Sequence, residues 1–579
     1  MATNNQKYIT LLFLYFTLYN IAYAATRVVT EVDWRELTNK VSGRLYAASP
    51  LGRPCFTSLN GEAVSFEEAQ CSTTEKNYFN GTFRTDRYEG FFHLYGDGCI
   101  SNTTDECFLN PNDPRPSTDT RQCGQGLVSP YYLDVRNADD VRAAYHFSSK
   151  TGIPISIKAS GHDYLTRSSM KGSLALWVRN LRNMTYHKSF KATGDGRAKS
   201  VSAITFGPGV NTDEAQAFAN KNNVTLIGPS SPTVAVVGGW SLFGGHSVLS
   251  PAFGLGVDRI LEVEIVTPDG EYRICNRKRN IDLFWALRGA GGGVFGVILS
   301  VTVKVEPATP VTFVSFNFPP TVENQDAFLS LLINNTRTWS LEGWGGPMSP
   351  RSVALVNPYL DETAATKSMA IVSKFVNANN GTAFIQRFAT FYEFYSSFIS
   401  RTPSDAGSGP LLTFRVLPKR LHETTEGRKH LHKFIMNQVR QGLSPTIFMT
   451  TPAQFKYPSG STSVHPAWRN SYWDVGFGFG YAPNATLHER RRVALQSQQL
   501  SLNITSLAPD GAAYPNEANP WQQNWQKEFW GNNYKRLLQI KAKYDPHGIL
   551  NCWRCVGFQN EWIRSNPRFG CMGEFDGLV

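Results

Sequence analysis

The sequence of 579 residues has no internal repeat and no low-complexity tract. Beyond its first two dozen residues it has no apolar run of the roughly 20 residues that a membrane span requires. Solenoids, disordered segments and helical membrane bundles are thereby set aside. Charge is not concentrated either. Lys and Arg number 57 against 46 for Asp and Glu, a net +11, but the densest basic run is Arg490-Arg491-Arg492 behind Glu489. Nucleic-acid binders gather basic side chains into stripes. This run reads as a solvated helix face, and no nucleic-acid partner is expected. Two phosphate-binding signatures are missing as well: there is no Walker loop, and no Gly-x-Gly-x-x-Gly fingerprint followed by an acidic residue about 20 positions on. A single Cys-x-x-Cys pair, Cys552 and Cys555, occurs without a second, so no metal site is expected and a disulfide or structural role is.

What is present is a chain with 41% hydrophobic and 13% aromatic residues, enough for more than one core. Lys7, the apolar stretch Ile9 to Ile21 and Ala22-Tyr23-Ala24 have the form of a secretory signal peptide over residues 1–24. Eight Asn-x-Ser/Thr sequons, at Asn80, Asn102, Asn183, Asn223, Asn334, Asn380, Asn484 and Asn503, agree with export and N-glycans. Nine cysteines are present, and Cys55, Cys71, Cys99, Cys107 and Cys123 crowd one loop-rich segment, as in a disulfide-stapled secreted region. The odd count leaves at least one unpaired within the chain, and Cys275, alone in a strand-like stretch, is the candidate. The expected location is therefore extracellular, with no membrane association after signal cleavage.

Residues 25–124 form a Cys-rich extension with a helix near Asp33 to Val41. Regular patterning begins near Pro130. Tyr131 to Val135 reads as a strand, Asn137 caps a helix with Val141, Ala144 and Tyr145 on its apolar face, and Ile153 to Ile157 reads as a second strand. Further strands are expected at Ser202 to Phe206, Val224 to Ile227, Ile260 to Thr267 and Gly296 to Glu306, and Thr212 is read as a helix cap. Residues 125–310 make one domain, 311–509 another of different character, 510–560 a return to the first, and 561–579 a tail.

Three Gly-rich loops dominate 125–310: Ser160-Gly161-His162, Gly238-Gly239 with Gly244-Gly245-His246, and Gly289 to Gly293. Glycine allows backbone N–H groups to approach an anion closely, and a diphosphate is a natural ligand. The segment Ile157 to Ser168 resembles the flavin-attachment loop of the vanillyl-alcohol-oxidase superfamily, and most closely its fungal berberine-bridge-enzyme-like branch. Pro232 to Asp258, Asp282 to Val297 and Asn524 to Gly557 match in the same order. The resemblance fades across 311–509 and over the extension.

The resemblance implies an α+β fold: a PCMH-type FAD-binding domain of two subdomains, with an inserted substrate domain built on an antiparallel sheet plus helices. It implies FAD bonded to His162. Relatives with two links carry a cysteine where Ser231 stands here, and no cysteine lies between Cys123 and Cys275, so attachment is mono-covalent. Ser160, Gly161, Asp163, Ser231, Thr233, Val234, Gly238, Gly239, Gly244, Gly245, His246, Asn516 and Asn551 are the expected cofactor contacts. Val234 occupies the position of an oxygen gatekeeper and is the permissive residue, although Ala235 replaces the usual glycine beside it. The expected activity is that of an oxidase acting on a small-molecule alcohol, sugar or secondary metabolite, with molecular oxygen as acceptor and hydrogen peroxide as product. A dehydrogenase on the same scaffold and a non-catalytic binding protein are the alternatives. Candidate bases are Tyr514 and Glu517; a tyrosine, with its reference pKa near 10, requires a cationic neighbour for that role. Tyr472, Asp474 and His465 are secondary candidates.

Overall fold

A computed structural model describes residues 29–110, 121–402 and 405–579. The segment 1–24, read above as a signal peptide, lies outside the described residues.

The first sheet is organised around Leu174–Trp177, whose four residues are all buried. It pairs in parallel with Tyr131–Asp134 on one side and Ile155–Lys158 on the other. The helix Ala138–Thr151 makes the crossover. Asn137 starts it by accepting the N–H groups of Asp139 and Asp140, and Gly152, with φ 74°, ends it in the left-handed conformation that suits glycine. Val141, Ala144, Tyr145 and Phe147 form its buried stripe. The segment before residue 125 contributes to this sheet: Leu45–Ala47 adds an antiparallel edge strand, and Trp34, on the helix Glu31–Lys40, stacks on Tyr131 at 4.3 Å.

A second, antiparallel sheet runs in the order Tyr272–Asn276, Ile260–Val266, Val297–Lys304, Val201–Phe206, Met184–Phe190. The third has seven antiparallel strands in the order Thr382–Phe388, Val311–Asn317, Ser352–Asn357, Gly346–Ser349, Thr446–Met449, Ser471–Tyr481, Gly409–Pro418. Its two faces follow from strand alternation. Val314, Phe316, Val353, Leu355, Ile447 and Val475 pack into one core with Phe328, Leu332, Leu431 and Leu500, which lie on the helices Val322–Glu342, Thr425–Arg440 and Leu487–Leu507. Phe313, Val356 and Phe448 fall on the opposite face and line a cavity between this sheet and the Gly-rich loops.

Four disulfides join Cys55 to Cys71, Cys99 to Cys571, Cys107 to Cys123 and Cys552 to Cys555. Cys275 is free and buried. The Cys99–Cys571 bond spans 472 residues and ties the Cys-rich segment to the tail.

Candidate active site

The cavity has a volume of about 880 Å³. Its Gly-rich wall begins where the strand Ile155–Lys158 ends. Gly161 turns the chain with φ 81°, and a Cβ there would lie 2.8 Å from Lys158 Cε. The turn presents His162 to the cavity. The imidazole stacks on Phe92 with centroids 3.6 Å apart, and its Nε2 lies 2.7 Å from Thr233 Oγ1. Burial pushes this histidine down to about 3, so the ring is neutral at physiological pH and one ring nitrogen keeps its lone pair. Asn516 Nδ2 donates to the His162 carbonyl at 3.2 Å, and Ser160 Oγ accepts the Ala235 N–H at 3.2 Å. Two Gly-rich loops and the returning chain are thus held together around one histidine.

The glycines of the wall differ in their reasons. A Cβ on Gly238 would run into Pro208 O at 2.4 Å and Ala159 Cβ at 2.6 Å, so this glycine permits close packing of the loops. A Cβ on Gly239, which lines the cavity, would meet no protein atom within 4 Å. A Cβ on Gly292 would lie 2.7 Å from Gly238 O. These absences leave a smooth backbone wall beside a neutral imidazole, and the residues fit a dinucleotide flavin. His162 and Thr233 would hold its reactive ring system, and Gly238, Gly239, Gly292 and Gly293 would adjoin the rest of the cofactor.

The polar end of the cavity is built by a chain return. Ala512 and Val416 exchange backbone hydrogen bonds of 3.3 and 2.8 Å, and Phe414 N–H donates to Glu517 O at 3.2 Å. The segment Ala513–Glu517 is thereby docked on the strand Gly409–Pro418, with Tyr514 and Glu517 in the cavity wall. Glu517 Oε1 lies 3.3 Å from His246 Nε2, and His246 Nδ1 lies 3.1 Å from Thr450 Oγ1. Glu517 Oε2 is buried and has no hydrogen-bond partner. Asp474 lies on the same face of the sheet, in register with Val416 and Phe448, and both its carboxylate oxygens are buried without partners. Burial lifts Asp474 to about 7; His246 pulls it down and Glu517 adds to the rise. Burial alone would lower His246, but the Glu517 and Asp474 carboxylates outweigh it and raise its pKa. Burial first, and the same two carboxylates next, hold the Tyr514 phenol protonated well above its ordinary value. The cationic neighbour that a tyrosine base requires is not among the influences on it.

Of the residues singled out in the sequence, Ser160, Gly161, His162, Asp163, Ser231, Thr233, Val234, Gly238, Gly239, His246, Tyr514, Asn516 and Glu517 all line this cavity. The Asp163 carboxylate is taken up by the N–H groups of Leu165 and Ser168 and shapes its own loop. Gly244, Gly245 and Asn551 lie outside the cavity wall. A Cβ on Gly245 would lie 3.1 Å from Trp240 and 3.2 Å from Gly256 Cα, which makes this pair a packing device. Asn551 donates to Gly548 O at 2.6 Å and faces a separate pocket of about 40 Å³. Tyr472 donates to Glu423, and His465 Nδ1 accepts the Ala467 N–H; neither lines the cavity. Phe92 and Thr450 are site residues with no sequence signal: one sits in the Cys-rich segment, the other just beyond an ordinary strand.

Two family models match the chain, an FAD binding domain over residues 130–276 and a berberine and berberine-like domain over residues 513–552. The FAD-linked oxidoreductase cheF of Chaetomium globosum is 54% identical over 99% of this chain and 94% of its own. The crystal structure of the VAO-type flavoprotein MtVAO615 from Myceliophthora thermophila C1 superposes with a TM-score of 0.80 at 27% identity, covering 92% of this chain and 96% of that one. A chitooligosaccharide oxidase shares the fold at a TM-score of 0.62 and 18% identity, covering 80% of this chain and 95% of that one. Near-complete alignment with a named oxidoreductase, on a fold that sets a histidine-bearing glycine loop against an antiparallel sheet, places this chain among the berberine-bridge-enzyme-like FAD-linked oxidoreductases of the vanillyl-alcohol-oxidase superfamily.

Proposed function

We propose that the protein is a secreted oxidase that removes two electrons and two protons, one from carbon and one from oxygen, from an alcohol carbinol, using FAD attached only through His162, and passes them to molecular oxygen to give hydrogen peroxide. The observation that carries this reading is Glu517 Oε2, a buried acceptor without a partner in the cavity that His162 also lines. FAD, when bound, supplies the electron-accepting chemistry. The chain supplies the rest. Glu517 Oε2 takes the substrate's hydroxyl proton, while His246 holds Oε1 and fixes the carboxylate's orientation. Tyr514 is kept protonated, so its hydroxyl is free to donate to the substrate oxygen, and its ring closes the wall. The neutral imidazole of His162 has the lone pair that covalent attachment requires, and Thr233 orients its ring. Ser231 lines the cavity where a second link would need a cysteine.

Val234 in the cavity wall supports oxygen as acceptor; the methyl group of Ala235 beside it is the one feature that favours a dehydrogenase. Secretion draws support from four disulfides and from eight sequon asparagines that are all exposed. Among the described residues no helix is long and apolar enough to cross a membrane.

The test is spectroscopic. Acid-precipitated protein should keep its yellow colour in the pellet, and His162→Ala should release it. Acid-stable flavin in that variant would show that another residue makes the bond. Rapid mixing of substrate-reduced enzyme with aerated buffer should restore the oxidised spectrum with peroxide formation. Slow return in air, with fast return on adding a quinone, would make the enzyme a dehydrogenase.

A further inference from the structure

We propose that the substrate is a lipophilic alcohol, a bulky apolar body that presents a single hydroxyl to Glu517. This rests on the redox reading above and narrows it to a substrate class. The cavity-facing side of the seven-stranded sheet carries Phe313, Pro347, Ala354, Val356 and Phe448. Thr450, at the end of one of these strands, adds a hydroxyl, and it already bonds His246. Phe313 continues into an aromatic layer, with ring centroids 4.8 Å from Phe394 and 4.7 Å from Phe398. At the mouth two large apolar side chains stand partly in water: Phe398 is 37% exposed and Phe79 is 47% exposed. Exposed aromatics that rim a concave site mark a surface made to be covered by an apolar ligand.

The exposed polar side chains among the lining residues, Asn80, Thr82, Asp213, Ser230, Thr402 and Asp405, accompany these aromatics at the mouth. Among the lining side chains, the buried polar atom without a partner is Glu517 Oε2. The site therefore has one polar end and an aromatic, aliphatic body. An oligosaccharide would press several hydroxyls against the sheet wall, where the side chains of Phe313, Pro347, Ala354, Val356 and Phe448 offer no donor or acceptor. Each hydroxyl buried without a partner weakens binding by roughly tenfold or more. An apolar body gains from the same walls, and its one hydroxyl finds Glu517 Oε2.

Titration calorimetry with 4-butylbenzyl alcohol and with cellotriose, on the full-length purified protein, separates the classes. The alcohol should bind at least about tenfold more tightly than cellotriose. Phe398→Ser should weaken the alcohol about tenfold, the scale expected when one phenyl ring no longer covers the ligand. Phe79→Ser, at a more exposed position, serves as a second variant that leaves the core intact. Cellotriose binding as tightly as the alcohol, or both variants leaving the alcohol's affinity within twofold, would overturn the proposal. The flavin spectrum keeps the two readings apart. A yellow protein that prefers cellotriose overturns the lipophilic class and leaves the redox reading. A colourless protein that prefers the alcohol overturns the redox reading and supports the apolar site.

Discussion

Replacing Glu517 by Gln changes one atom and removes the charge on which the proposed chemistry turns. Oε1 lies 3.3 Å from His246 Nε2, and the two side chains are only 20% and 12% exposed. At an effective dielectric of about 20, unit charges at that spacing attract by about 5 kcal/mol, and the cost of desolvating both cancels part of this. What survives in coupled buried pairs is of the order of 0.5–3 kcal/mol. Loss of a positioned general base costs about 10²–10⁴-fold in rate. Glu517→Gln should therefore lower substrate-driven bleaching of the flavin, followed anaerobically by stopped flow, by about 10²–10⁴-fold. His246→Gln leaves the carboxylate but frees its Oε1, and should cost less, about 10–100-fold. Because His246 acts through Glu517, the double variant should be no slower than Glu517→Gln alone. The pH profile gives a second readout. The carboxylates raise the His246 pKa against its burial, so removing one moves imidazole protonation to lower pH. Bleaching within threefold of the parent in Glu517→Gln would remove Glu517 as base. Losses that multiply in the double variant would show that the two residues act independently.

Three other perturbations have definite outcomes. Gly291 sits at φ 109°, and a Cβ there would lie 2.2 Å from the Phe243 ring, so Gly291→Ala should lower stability in urea by about 1–3 kcal/mol and weaken cofactor retention by pushing Phe243 into the cavity. His422 is fully buried with neither ring nitrogen partnered, and burial pushes it down to about 3. Its unfolded value lies near 6.5, so the unfolded chain takes up the proton first and stability is lost as pH falls below about 6.5. His422→Phe removes this penalty: between pH 8 and pH 5 the parent should lose about 2 kcal/mol more than the variant in urea unfolding, and equal losses would refute the burial argument. Thr82→Ala destroys the Asn80 sequon but leaves Asn80 accepting the Phe83 N–H at the helix start, so the secreted variant should lose the mass of one N-glycan without loss of stability.

The parts of the fold that local sequence dictates were legible. Asn137, the apolar stripe through Tyr145 and Gly152 define a helix by themselves, and the β-branched runs at 260 and 297 define strands. Thr212, read as a cap, is the first residue of its helix. Asn211 precedes it, with its N–H bonded to Glu214. Leu174–Trp177 was not singled out, because a strand buried on both faces has no alternation to betray it. The seven-stranded sheet followed only from resemblance, since pairings such as Pro347 with Phe448 join distant segments that carry no mutual mark. The same limit applies at the site. Local motifs singled out both His246 and Glu517, but their contact spans 271 residues and exists only through the chain return. Nothing local announced Phe92 as the partner of His162.

That chain return explains why the proposed attachment loop and the proposed base belong to one unit. Ala512 and Phe414 bind the segment Ala513–Glu517 to the sheet, and the buried Arg415–Glu528 pair at 2.6 Å secures the helix that follows. At its other end Asn516 reaches across to the His162 carbonyl. A rigid five-residue segment therefore touches the residue that would hold the cofactor and carries the residue that would take the proton. Asn516→Ala removes one partly buried hydrogen bond, worth about 0.5–1.5 kcal/mol, too little to unfold the protein. It should slow covalent flavin incorporation into freshly made apoprotein and also substrate-driven bleaching, each by up to about tenfold, because both depend on the same bridge. Mass spectrometry of the time course of attachment and stopped flow on the fully loaded variant measure the two separately. A variant slowed in attachment but unchanged in bleaching would show that Asn516 positions only the histidine loop, and that the sheet alone holds Glu517 in place.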